Sequence, residues 1–238
     1  MRTVLSVLLV TLVTAAPLTA QSEQDVSAYF TLIGTPPGAL PAVLSIAMLN
    51  RPMTLPNVAV RYGHISTAGV SFNSFAATLG VPAGTKALIG LTAGYQALSC
   101  QGGGCNGHFI GGASAEGRLT STTLGTGSDA AQLTIGLNGE FGYGKPESST
   151  LVSLTGGVPI ALVAGGPEIK IAPFLRPAIG WGREGNAFGN TTGTRFMLGG
   201  GVTFLSTTSG VGANIGFQKV FINGGDTLFG VSLILGAR

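Results

Sequence analysis

Charge is scarce in this chain. Of 238 residues, 12 are Lys or Arg and 9 are Asp or Glu, or 9% in all, where a soluble domain carries about 25%. The net charge of +3 is spread along the sequence, so there is no basic patch of the kind that binds nucleic acid. There are two histidines, two cysteines and one tryptophan. Cys100, Cys105 and His108 give three potential zinc ligands, one short of the four a structural site takes. G-x-S-x-G is absent, which removes the nucleophile elbow. Gly111-Gly112-Ala113 is no phosphate loop, because no helix follows it. No metal or cofactor is expected. Beyond the N-terminus there is no run of 18 or more apolar residues, which excludes membrane-spanning helices. Yet mean hydropathy is +0.47. A hydrophobic chain without such helices is either a soluble protein of unusual composition or a β-barrel with an apolar exterior.

What is abundant is glycine, 40 residues, and two-residue alternation. Between residues 131 and 143, Ala131, Leu133, Ile135, Leu137, Phe141 and Tyr143 share one parity, and Gln132, Thr134, Asn138 and Glu140 share the other. A strand sends these sets to opposite faces. Thirteen residues exceed the 9–11 that a tilted membrane strand needs. The pattern recurs. Ten strands are expected, at 57–65, 68–78, 86–98, 107–120, 130–143, 149–163, 168–182, 194–205, 210–222 and 227–237, with turn residues between them. An outer loop is expected at 185–193. Pro173 and Pro177 suggest a bulge or bend. Barrels of eight or twelve strands are the alternative counts.

The N-terminus divides differently. Residues 1–20 have a positive Arg2, an apolar stretch from Val4 to Ala16 and a small-residue end at Ala20, the features of a secretory signal cleaved near Ala20. Residues 21–56 hold Pro36, Pro37, Pro41, Pro52 and Pro56. They read as an irregular arm, periplasmic or folded into the barrel mouth, with one or two helical turns in 42–49; two extra short strands are the competing reading. Residues 57–238 form one domain. Export to an oxidising compartment favours a disulfide between Cys100 and Cys105 across a glycine-rich loop.

Aromatic residues sort to one rim when the ten strands are laid antiparallel. Tyr62, Tyr95, Tyr143, Trp181 and Phe221 lie near the ends of odd strands, and Phe72, Phe109, Phe196 and Phe229 near the starts of even ones. Interfacial aromatic girdles do this.

With these features the chain resembles the small outer-membrane β-barrel proteins of Gram-negative bacteria. The resemblance covers 57–238 and rests on pattern. It implies a closed, all-β, antiparallel up-and-down transmembrane barrel in the outer membrane, with outer-membrane lipid and the assembly machinery as partners. The chain departs from the pattern at its end, Leu235-Gly236-Ala237-Arg238, where such proteins often carry an aromatic residue.

The inward set, phased on this pattern, includes Arg61, Gln96, Glu116, Arg118, Gln132, Asn138, Glu140, Lys170, Arg176, Arg195, Asn214 and Gln218. Ten strands sit just above the size that side chains can fill. Two readings follow: a paired network that plugs the lumen, or a narrow, slightly anion-favouring pore for a small solute. Lys219 falls on the apolar parity and is expected to snorkel. Two other classes compete: a binding module presenting 185–193 and the Cys loop to a surface ligand, and a lipid-modifying enzyme. For the enzyme, His64-Ile65-Ser66 resembles the H-x-S pair of outer-membrane lipid A deacylases. The leading expectation is a non-enzymatic barrel.

Overall fold

The computed structural model describes residues 31–36, 40–49, 55–67, 70–100, 106–126, 130–187, 189–221 and 227–236. Among them are ten antiparallel strands: β1 (Asn57–Thr67), β2 (Val70–Pro82), β3 (Ala87–Cys100), β4 (His108–Leu124), β5 (Ala131–Gly144), β6 in two parts (Ser149–Gly157 and Ile160–Val163), β7 (Ile169–Asn186), β8 (Gly189–Ser206), β9 (Gly212–Val220) and β10 (Thr227–Leu235). Each strand pairs with its sequence neighbours, and β10 pairs back onto β1 from Val58↔Leu235 to His64↔Phe229. The sheet is therefore closed and leaves no edge to recruit another strand. We call the rim where β1 begins and β10 ends proximal, and the opposite rim distal. Proximal turns are short; Gly84 (φ 78°) and Gly210 (φ 70°) take backbone angles that other residues resist.

The alternation explains the wall. In β5, Thr134, Gly136, Asn138 and Gly142 are buried, while Leu137, Phe141 and Tyr143 are exposed on the outside. The same holds around the sheet, with Val60, Leu91, Leu154, Ile179, Ile215 and Leu233 all exposed on the outer face. Lys219 is on that outer face and half-buried.

Prolines account for the break in β6. Gly136 N donates to Pro159 O, and Val158 N donates to Pro177 O, at 2.9 Å each. Neither proline can return a hydrogen bond. The register runs unshifted from Gly157↔Ala178 to Ile160↔Leu175. Nor does the register of β7 shift at Pro173 or Pro177: its pairing to β8 is unbroken from Ile169↔Ser206 to Asn186↔Gly189. The bulge expected there is absent because both prolines turn their missing N–H toward the interrupted β6. The register shift that does occur is in β4, between Arg118 and Thr120.

Two further expectations change. Residues 185, 186 and 189–193 are not loop: they belong to the ladder, with Gly185↔Asn190 and Asn186↔Gly189 paired. The threonines at 191, 192 and 194 suit a strand, and they outweigh the glycines that suggested a loop. Phe72 is buried inside the barrel, not on the belt.

The arm also moves. Residues 31–34 form one helical turn and Ile46–Leu49 a 3₁₀ turn, with no strand in either described segment. Leu32 and Ile33 pack with Ile65, Phe72, Ala178, Met197, Val220 and Leu228 at the distal end of the lumen. Ala42, Leu44 and Ile46 to Leu49 pack with Ala59, Val163, Phe174, Leu205 and Ile234 at the proximal end. The arm thus runs down the inside of the barrel, distal to proximal, before β1 climbs back. The sequence 1–20 and the Cys105 end of the expected disulfide lie outside the described residues, and Cys100 closes β3.

Candidate functional site

The lumen is the only region where the charged and polar side chains of many strands meet, among the described residues. Its wall has three levels. At the distal level the helical turn at 31–34 leaves carbonyls with no partner of its own. Gln96 Nε2 of β3 donates to Ile33 O at 2.8 Å and to Ser74 Oγ of β2 at 3.1 Å. His108 Nε2 of β4 lies 3.2 Å from Gly34 O. Ser153 Oγ of β6 donates to Pro36 O at 2.9 Å and sits 2.7 Å from the Thr35 hydroxyl. His108 therefore faces the arm. No cluster of three or more His, Cys, Asp or Glu that could hold a metal stands among the described residues.

The middle level is ionic. Arg176 of β7 is 3% exposed, and its Nη1 donates to Glu140 Oε1 of β5 at 2.7 Å. Its Nη2 donates to Gln218 Oε1 of β9 at 2.6 Å, and Asn138 Nδ2 reaches Glu140 Oε1 at 3.2 Å. A buried pair of this kind gains little net stability, but removing one partner strands the other charge. Asn214 Nδ2 donates to Thr203 Oγ1 at 2.9 Å nearby.

Below it, Ser45 N donates to Glu116 Oε1 at 3.2 Å. A cavity of about 60 Å³ opens there, lined by the arm at 43–46 and by Asn57, Arg61, Glu116, Asn138 and Glu140. Asn57 Nδ2, Arg61 Nε, Asn138 Oδ1 and Glu140 Oε2 are buried with no protein hydrogen-bond partner. A cavity of this size has room for water, which such groups require.

Of the inward residues expected from the sequence, Arg61, Gln96, Glu116, Asn138, Glu140, Arg176 and Gln218 meet around the arm. Lys170 stays at the proximal mouth, its Nζ on Gly165 O at 3.0 Å. Arg195 stays at the distal mouth, its Nη1 on Thr194 O at 2.6 Å. Arg118 sits beside the β4 bulge, and Gln132 is half-buried toward the proximal end of β5. The two inner levels thus set Arg61 and Arg176 beside Glu116 and Glu140, while Lys170 and Arg195 lie at the mouths.

Ser153, Ser45 and Thr35 are not among the expected inward residues, and the arm, expected in the periplasm or folded into the barrel mouth, lies deeper in the lumen. Two signals pointed to them. From Val26 to Asn50 the sequence holds no charged residue. In addition, glycines stand on inward parities where the arm passes: a Cβ at Gly142 would strike Pro36 O, one at Gly216 would strike Ala42 O, and one at Gly199 would lie 2.6 Å from Ala42 Cβ.

Outside, the belt residues Tyr62, Tyr95, Phe109, Tyr143, Trp181, Phe196, Phe221 and Phe229 lie in the distal half, on the outer face. Tyr62↔Phe75, Phe75↔Tyr95 and Tyr95↔Phe109 are direct cross-strand partners over four strands. Ring centroids are 4.8 Å apart for Tyr62–Phe75, 5.5 Å for Tyr95–Phe109 and 5.3 Å for Phe196–Phe221. His64 Nδ1 and Tyr62 Oη both meet Asn73 Oδ1 at 2.9 Å.

No family model matches the chain, and no curated protein is significantly similar to it. Among solved structures, the translocator domain of the autotransporter NalP from Neisseria meningitidis aligns at 13% identity, over 79% of this chain and 90% of that one, with a TM-score of 0.29. At that level the likeness carries no argument, and the barrel rests on its own strand pairing.

Proposed function

We propose that the chain is a non-enzymatic integral outer-membrane β-barrel whose own N-terminal arm closes its lumen, so that it does not conduct in this state. The observation that supports it most is the inversion of the two faces: large apolar side chains lie outside and the ionic level lies inside. Water around such an exterior would be costly, and lipid is the solvent that suits it. The distal aromatic row gives one interface with the headgroups. Outer-membrane lipid and the assembly machinery are the partners this implies, with residues 1–20 acting as the export signal.

The closed lumen favours the plugged barrel over the small-solute pore. For the surface-binding reading, residues 185, 186 and 189–193 belong to the β7–β8 ladder, and the loop at 101–105 lies outside the described residues. For the lipid-modifying enzyme, His64 and Ser66 are both exposed on the outer face, and His64 Nδ1 lies 2.9 Å from Asn73 Oδ1, an amide where that reading needs an acid.

Recording purified protein in planar bilayers tests the proposal. The intact chain should give no stable conductance. Gly142→Val, which pushes a side chain into the arm, should give small channels. Steady conductance from the unmodified protein would refute the closed lumen.

A further inference from the structure

Polar side chains of the wall reach the arm's main chain at four places. Gln96, His108 and Ser153, on three different strands, meet the carbonyls of residues 33, 34 and 36, and Glu116 accepts the N–H of Ser45. Glycines let the carbonyls of Pro36 and Ala42 come against the wall. Side-chain hydrogen bonds between arm and wall include the Thr35–Ser153 hydroxyl contact and the Ser45 hydroxyl on Glu116. The arm also packs into two apolar clusters. The described arm residues carry no charge, and Arg176 pairs with Glu140 within the wall. Main-chain groups are common to every polypeptide, and apolar packing tolerates shuffled side chains of similar size.

We propose that the lumen is a peptide-binding channel that takes uncharged, apolar polypeptide segments through their main chain, with residues 31–49 as its resident occupant. It rests on the arm lying in the lumen, as the plugged reading does, but not on membrane location or conductance. Charge is the excluded feature, because an ionised side chain in either apolar cluster would have no partner.

The test uses the full-length chain with a protease site placed within residues 50–54. It is folded in detergent, cut, then unfolded and refolded with excess fluorescent peptide; anisotropy reads uptake, and heat-modifiable gel migration shows that the barrel has formed. The probes are a peptide of sequence 31–49, a scrambled peptide of the same composition, and the 31–49 peptide with Asp at positions 42 and 44. Expected is uptake of the first two within about tenfold of each other and rejection of the third. Gln96→Leu with Ser153→Ala in a folded barrel should weaken uptake about 5- to 150-fold, the worth of two hydrogen bonds. His108→Ala is a second, independent variant and should weaken it less. Failure of every peptide to enter, rejection of the scrambled peptide alone, or clamp variants that bind as tightly as the parent would each overturn the proposal. Because the assay reads binding in detergent, a conducting barrel that still takes peptide would refute only the closed-lumen reading.

Discussion

The two halves of the lumen hold the same arm by different means. The distal half is tight. Leu32 is fully buried, Gly34 abuts Leu151, and three polar side chains meet arm carbonyls. The proximal half buries more of the arm, with Leu44, Ile46 and Met48 inside a larger apolar cluster. Yet it borders a cavity of about 60 Å³ and holds the arm's main chain by a hydrogen bond to Glu116. The difference teaches that one end is fixed by geometry and the other by burial. Geometry-fixed contacts tolerate no shift, whereas burial beside a cavity leaves room to repack.

Substitutions can break or sharpen that contrast. The largest effect is expected between the halves. Arg176→Ala leaves Glu140 buried without its cation, so it should cost about 3–5 kcal/mol, read by urea unfolding in detergent on Trp181 fluorescence; a change under about 1 kcal/mol would mean the pair is hydrated. Next come the arm leucines. Leu32→Ala and Leu44→Ala should each cost about 2–5 kcal/mol. Leu32 belongs at the upper end, since its tight site cannot collapse, and Leu44 at the lower, since its neighbours can close into the cavity. Equal losses would erase the contrast. Smallest is Ser153→Ala, expected to cost about 0.5–1.5 kcal/mol and to show mainly as faster amide exchange in residues 31–36, with residues 40–49 unchanged.

The wall was legible in the sequence, and the arm only as far as the barrel mouth, for one reason. A strand with lipid on one side and a lumen on the other repeats every two residues, so each of the ten announces itself locally, as residues 131–143 do. The arm's partners lie far off in the chain: Ile33 meets Gln96, and Pro36 meets Ser153. No local period records that. Its signals were negative ones, a run without charge and missing side chains at Gly142, Gly199 and Gly216. Those glycines read as weak strand positions until the arm is seen to fill the space. Residues 185–193 failed the other way, because Gly and Asn suggested a loop while the long β7–β8 pairing overrode them. The ionic residues were legible as inward by parity. Which of them meet was not, because pairing such as Arg176 with Glu140 depends on closure.

The arm's place and direction are most directly tested by photocrosslinking from within it. A photoreactive residue at Leu32 should join peptides containing Gly180 or Met197, and one at Met48 should join the peptide containing Gly136, since these are their neighbours. Crosslinks mapped by mass spectrometry in that order, distal for 32 and proximal for 48, are the result expected of an arm threaded down the lumen. Crosslinks in the reverse order, or none to the barrel wall from either position, would contradict it.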